Sequence, residues 1–266
     1  MKHLVAAVYN RIIESSHRHK TKKAYLAYSG GSDSALMLEV VKRTGLLYDP
    51  DWNFRIMSVK TGLHDKGHIE RVTADVERFG YPLYWYTGKG LQWYVKSVME
   101  NGFGHTPSVH VIYYRMLKER AVEESIKDFK DFYHERILSL TGVRRAESQK
   151  RANTPFEYHK KGSRVTLNPI ADVSNEEKDE LIKRVTWWRG KSTEDCGCNW
   201  HGRSNLDNLN DEAKKHITEL NSKMKELGLW GYGQKPTKEQ QAMFGSFIIK
   251  DEMPEDSFCV SCAKKE

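Results

Sequence analysis

Apolar residues recur along the chain in two rhythms, one helical and one strand-like. Leu4, Val5, Val8, Ile12 and Ile13 fall on one face of a helix. The run Ala24–Tyr28 is short and continuous, the pattern of a buried strand. Just beyond it Leu36, Met37, Val40 and Val41 return to helical spacing, which ends near Gly45. A second strand is expected at Phe54–Val59. A helical face follows at Ile69, Val72, Val76 and Phe79, closed by Gly80 in the position that favours a left-handed cap. "YPLYWYTG" reads as a third strand, and a mostly helical stretch runs from Leu91 to about Phe129. "RILSLTGVRRAES" holds a fourth strand with its exit loop, and "RVTLNPI" a fifth. Ser174 and Glu177 make a capping-box pattern for a helix carrying Leu181, Ile182, Val185 and Trp188.

Strand–helix alternation through the first 190 residues predicts an α/β fold, a mostly parallel, doubly wound sheet with helices on both faces. Past Gly190 the pattern changes. Loop-like, cysteine-bearing sequence surrounds one strong helix (Ala213, Ile217, Leu220, Met224, Leu227) and a shorter one opened by Thr237 and Gln240. The expected organisation is an α/β domain over 1–190 and a small Cys-rich, mainly helical subdomain over 191–266. Ligands of such sheets bind at the carboxyl ends of the strands. That rule selects four glycine-bearing loops: Ser29–Ser34, Lys60–His64, Thr87–Gly90 and Thr141–Ser148.

The first loop, Ser29-Gly30-Gly31-Ser32-Asp33-Ser34, joins strand to helix with small, hydrogen-bonding residues. A glycine pair lets backbone N–H groups turn inward, the helix start adds unpaired N–H groups and a positive dipole end, and the serines add hydroxyls. This is a cradle for phosphate or pyrophosphate. The same residues also make an ordinary tight turn with a Ser/Asp cap, and composition leaves both readings open. Walker A is excluded, because no Gly-Lys-Ser/Thr closes the motif, and the dinucleotide fingerprint lacks its third glycine.

The chain has 266 residues, a formal net charge of +7, and 38% hydrophobic and 30% charged content. The charge, with a basic run from His17 to Lys23, suits an anionic partner such as a nucleotide, DNA or RNA, or an acidic protein; it suits a solvated basic surface equally well. Leu4 to Val8 is too short for a signal or membrane segment, so a cytoplasmic protein with reduced or metal-bound cysteines is expected.

Ser-Gly-Gly-x-Asp-Ser after a strand resembles the PP-loop of the adenine-nucleotide α-hydrolase superfamily. The segment Gly142-Val143-Arg144-Arg145-Ala146-Glu147-Ser148-Gln149-Lys150-Arg151 is similar to the Gly-x-Arg-x-x-Gln/Glu-Ser-x-x-Arg segment of the phosphoadenosine-phosphosulfate (PAPS) reductase family. Thr61-Gly62 resembles that family's Thr-Gly step, and Asn168-Pro169-Ile170 with Asp172 its last-strand exit. The resemblance spans about residues 20–190, in order. It implies a PP-loop nucleotide-binding domain over 1–190 that takes ATP or a related adenine nucleotide with Mg²⁺. The implied contacts are Ser29, Gly30, Gly31, Ser32, Asp33, Ser34, Lys60, Thr61, Gly62, Gly142, Arg144, Arg145, Glu147 and Ser148, with Asp33, Arg144 and Arg151 in catalytic roles. Arg144 and Arg151 offer forked donors to phosphate or sulfate oxygens, and His64 and Lys89 share the rim.

All four cysteines lie near the carboxyl end, as Cys196-Gly197-Cys198 and Cys259-Val260-Ser261-Cys262. Two close pairs point to one four-thiolate site. Four thiolates suit tetrahedral Zn²⁺ and suit a 4Fe–4S cluster equally; thiolating members of the superfamily carry the cluster, which favours it. The chain departs from the sulfonucleotide reductases, which use Glu-Cys-Gly-x-His where this sequence has Glu194-Asp195-Cys196-Gly197-Cys198 with His201 displaced. No Cys-Cys pair stands in the middle helical region either. The leading expectation is therefore an ATP pyrophosphatase of sulfurtransferase type. It would cleave ATP between the α and β phosphates to activate an acceptor, such as a nucleic acid, for sulfur from a donor or partner protein. The alternatives are a PAPS/APS reductase using Cys196, or a non-catalytic nucleotide- and nucleic-acid-binding component of a larger defence or mobile-element complex.

Overall fold

The computed structural model describes residues 1–104, 107–132, 134–159, 162–190 and 206–240. Its elements begin with α1 (Lys2–His19), β1 (Lys23–Ala27), α2 (Ser32–Thr44), β2 (Asn53–Lys60), α3 (His68–Glu77), β3 (Leu83–Thr87) and α4 (Gly90–Asn101). Then come α5 (Pro107–Tyr114), a π-helical turn at Arg115–Glu119, and α6 (Arg120–Phe129). The series closes with β4 (Ile137–Leu140), β5 (Glu157–His159), β6 (Arg164–Leu167), α7 (Asn175–Ile182) and α8 (Asp211–Glu226).

The six strands lie in the order β3-β2-β1-β4-β6-β5. Every pairing is parallel except that of β5 with β6. Central Leu26 sits opposite Ile56 on one side and Leu140 on the other. Strand pleating sends alternate side chains to opposite faces. Ala24, Leu26, Leu138 and Leu140 therefore join Leu4, Val8 and Ile12 of α1 and Leu36 and Val40 of α2. Tyr25, Met57 and Ile137 pack on Phe129 at the end of α6. Two-sided burial is why these strands read as continuous apolar runs.

A third apolar cluster stands beside the sheet. Leu91, Tyr94 and Val98 of α4, with Tyr113 and Leu117, meet Ala213, Ile217, Leu220 and Met224 of α8. The strong helix beyond residue 190 thus packs on α4 and shares its core, while Leu227, expected on that apolar stripe, is exposed.

Two elements differ from the sequence reading. Residues 157–159 form an edge strand that apolar alternation did not flag, because Glu157, Tyr158 and His159 supply only polar or half-exposed side chains. The helix capped by Ser174, whose oxygen accepts the Glu177 N–H, stops at Ile182. Val185 and Trp188 are carried instead by two successive three-residue turns, Val185 N–H to Ile182 O and Trp188 N–H to Val185 O. That spacing imitates a helical stripe.

Candidate functional site

β1 delivers the chain to the glycine turn with Tyr28 buried beneath it. Gly30 takes a φ of 74°, the left-handed region open to glycine. Gly31 is extended (φ −78°, ψ 162°) and opens α2, and among the described residues no side chain caps that helix. Its first N–H groups therefore keep their capacity for an incoming acceptor. The serines stitch the turn internally: Ser34 Oγ donates to Gly31 O at 2.9 Å, accepts the Ser29 N–H at 3.3 Å, and lies 3.1 Å from Ser29 Oγ. Trp188 Nε1 closes it from outside by donating to Gly30 O at 3.1 Å.

The loop after β4 presses on this helix start. A Cβ at Gly142 would lie 2.8 Å from the carbonyl carbon and oxygen of Asp33 and 3.0 Å from the Ser34 nitrogen, so only glycine fits without displacing backbone. Two residues on, Arg144 is buried with its Nε donating to Asp33 Oδ1 at 2.7 Å. Its Nη1 reaches Val173 O, Ser174 O and Asn175 Oδ1 at 3.1–3.2 Å. One guanidinium thus ties the first turn of α2 to the start of α7, and Asn175 returns a hydrogen bond to Ala146 O.

Beyond Arg144 the loop holds a buried ion pair, Arg151 Nη1 to Glu147 Oε2. Burial pushes the Glu147 carboxyl above its ordinary value; Arg151 opposes the rise and the nearby Asp33 charge adds to it. Two donors in the same loop are buried with no hydrogen-bond partner among the described residues, Arg151 Nη2 and Ser148 Oγ. Such orphans cost free energy unless a partner arrives. Both suit the oxygens of an anion.

The remaining loops complete the rim. Lys60 Nζ lies 5.1 Å from the Trp85 ring centroid. Thr61 is buried and its Oγ1 accepts the Leu63 N–H at 3.1 Å. Gly62 has a φ of 88°, and a Cβ there would lie 2.7 Å from that of Leu91, which places this loop on the first turn of α4. In the loop after β3, a Cβ on Gly88 would meet Met116 O at 2.3 Å. That carbonyl, in the π-helical turn, accepts the Lys89 N–H at 2.9 Å.

Thus Ser29–Ser34, Gly142, Arg144, Glu147, Ser148 and Arg151 are brought together around the start of α2. Arg145 points elsewhere. Its Nε donates to Thr154 O at 2.8 Å and its guanidinium lies 4.4 Å from the centre of Phe156, which Arg11 also covers at 4.0 Å. Cys196, Cys198, Cys259 and Cys262 lie outside the described residues. Among those described, no cluster of three or more His, Cys, Asp or Glu side chains is placed to hold a metal ion. Trp188 and Asn175 were not foreseen as partners of the site, since neither contact has a local sequence signal.

The basic run lies at the other end of β1. Lys22 pairs with Asp51 at 2.9 Å, Lys23 with Asp131 at 2.6 Å and Glu135 at 2.9 Å, and Arg18 and His19 with Glu157 at 2.7 Å each. A cleft of about 490 Å³ opens there between Lys20, Lys22, Asp51 and Arg136.

With this geometry in place, the sequence matches the phosphoadenosine phosphosulfate reductase domain over residues 23–186. The chain belongs to that family. It is thereby a PP-loop protein, and the matched stretch contains the glycine turn and the Gly142–Arg151 loop. Among solved structures, it is similar to a phosphoadenylyl-sulfate (PAPS) reductase from Candida auris in a phosphate complex. They share 15% identity over 62% of this chain and 73% of that one, with a TM-score of 0.45. An NH3-dependent NAD synthetase from Campylobacter jejuni gives 15% identity, 95% and 97% coverage and a TM-score of 0.48. A U34-tRNA thiolase from Methanococcus maripaludis with its 4Fe–4S cluster gives 14% identity, 77% and 66% coverage and a TM-score of 0.40. No curated protein matches the sequence. No described helix is long and apolar enough to cross a membrane.

Proposed function

We propose that this PAPS reductase-family protein binds ATP, or a closely related adenine nucleotide, with its phosphates at the Ser29–Ser34 turn, and cleaves it between the α and β phosphates. The observation that carries this reading is the pair of buried, partnerless donors, Arg151 Nη2 and Ser148 Oγ, in the loop pinned to the start of α2. Phosphate oxygens satisfy both. The N–H groups and dipole end of α2 supply further positive potential, and Gly30 and Gly31 leave room for close approach.

The chemistry assigned to these residues is charge stabilisation. A nucleophilic oxygen of the acceptor attacks the α phosphorus, and the bond from that phosphorus to the bridging oxygen breaks. Pyrophosphate leaves with the electron pair, and AMP becomes esterified to the acceptor. A sulfur nucleophile then displaces AMP. Arg151 holds the departing negative charge. Arg144 fixes Asp33, the carboxylate we assign to Mg²⁺, which neutralises phosphate charge when bound. The net charge of +7 supports DNA or RNA as acceptor; binding by phosphate contacts weakens steeply with salt, and salt-independent binding would favour a small-molecule acceptor. We also assign Cys196, Cys198, Cys259 and Cys262 to one shared metal centre, to be tested by absorption spectrum and metal content: brown and air-sensitive for 4Fe–4S, colourless with one zinc per chain for Zn²⁺. Four independently titrating thiols in metal-free protein would remove that assignment.

Family membership favours a second reading, reduction of a sulfonucleotide by a thiol. Product analysis separates the two. AMP and pyrophosphate from ATP support nucleotide activation; sulfite from PAPS, lost in Cys196→Ser, supports reduction.

A further inference from the structure

A segment more than a hundred residues downstream grips the loop after β2. The Asn210 carboxamide nitrogen donates to Gly62 O at 2.9 Å and to His64 O at 3.1 Å, and the Asn210 N–H donates to His64 O at 3.0 Å. The Lys66 N–H donates to Asn208 O at 3.1 Å, and Asp65 and Leu209 form an antiparallel bridge. On the other side of the same residue, Asn210 Oδ1 accepts the Ala213 N–H at 3.0 Å and caps α8. One carboxamide therefore faces two ways: its oxygen starts a helix and its nitrogen holds two carbonyls of the rim.

The grip adds to the local contacts of this loop, in which Thr61 Oγ1 accepts the Leu63 N–H at 3.1 Å and the Leu63 side chain is buried in the α4–α8 core. Gly62, at a φ of 88°, is stretched between Thr61, buried at the end of β2, and Leu91 of α4. Freed carbonyls at Gly62 and His64 would turn to water and take the Thr61-Gly62 backbone with them. We propose that Asn210 is a positioning residue for nucleotide binding: it presets the loop after β2 against the α4–α8 core, so that the rim is ordered before the ligand arrives. This rests on the reading that the nucleotide sits at the Ser29–Ser34 turn and contacts Lys60, Thr61 and Gly62.

The two jobs of the carboxamide can be separated. Asp at a helix N-cap accepts as well as Asn and suits the helix dipole, but a carboxylate has no donor for the two carbonyls. Asn210→Asp should therefore keep the helix content of the wild type. It should speed amide hydrogen exchange at residues 62–66 and weaken ATP binding about tenfold, as for a lost donor beside uncompensated carbonyls. Asn210→Gln, whose longer side chain retains the donor, should recover part of the affinity. Unchanged exchange at 62–66 in Asn210→Asp would overturn the positioning role without any nucleotide present. Faster exchange with unaltered ATP affinity would overturn the link to binding. Wild-type protein that binds no ATP would overturn the nucleotide reading and this role with it, while leaving the exchange result to report on the loop itself.

Discussion

The two ends of the parallel sheet, about 16 Å apart along β1, handle charge in opposite ways. At the amino end, cations are plentiful and spent: Arg18, Lys22 and Lys23 each meet a carboxylate within 3 Å. At the carboxyl end, two guanidiniums, Arg144 and Arg151, are deeply buried, and one guanidinium nitrogen and one hydroxyl have no partner among the described residues. A count of basic residues points to the first end; an account of unmet hydrogen-bonding capacity points to the second. The cost of an orphaned buried donor is about 1–3 kcal/mol, whereas an exposed ion pair is worth about 0–1 kcal/mol. The energetic signature of a binding site is therefore unfinished bonding rather than charge density.

The contrast is broken most severely at Arg144. Removing a buried guanidinium that bonds to Asp33, Val173, Ser174 and Asn175 leaves several polar groups stranded, so Arg144→Ala should lose about 3 kcal/mol or more, read as a large fall in denaturant midpoint.

Acid should also find the carboxyl end first. His68, the opening residue of α3, is buried and its imidazole is held down at about 4. The folded protein thus binds fewer protons there than the unfolded chain between about pH 6.5 and 4. Stability falls as pH drops through that window, by about 2–3 kcal/mol for this group. His68→Gln should flatten the slope of stability against pH, measured by denaturant unfolding at pH 7 and pH 4.5.

Ser148→Ala sharpens the comparison because its two effects oppose. Deleting a buried hydroxyl with no partner should leave the thermal midpoint equal to or above that of the wild type, while ATP affinity falls by about tenfold. A structural hydroxyl would lower both. The smallest effect belongs to the amino end. Lys22→Ala removes an exposed pair with Asp51 and should change neither thermal midpoint nor ATP affinity.

Much of this architecture was legible because local pattern and local structure agree. Leu26, Leu36 and Val40 announced β1 and α2, and the Ser174–Glu177 cap formed as its spacing implied. The sequence order of Gly142, Arg144 and Arg151 matched the family segment, yet only coordinates place Gly142 against Asp33. What stayed hidden depends on distant partners. Arg145 is as basic as its neighbour, but Phe156 and Thr154 turn it away from the turn. Trp188 looked like a helix stripe and instead holds Gly30 O. Asn210 had no motif, because its role exists only where α8 meets the loop after β2. The ion pairs of the basic run were hidden for the same reason: Asp51, Asp131 and Glu157 lie far along the chain from the cations they meet.

The central claim, that an adenine nucleotide seats its phosphates at the glycine turn, is tested most directly by calorimetric titration of ATP with Mg²⁺ into wild-type and Gly31→Leu protein. Gly31 has an ordinary extended backbone, and a Cβ there would meet only Ser29 Oγ, at 3.5 Å, so the variant should fold. The expected result is one site per chain in the wild type and no binding in Gly31→Leu. Equal binding by both proteins would contradict the account.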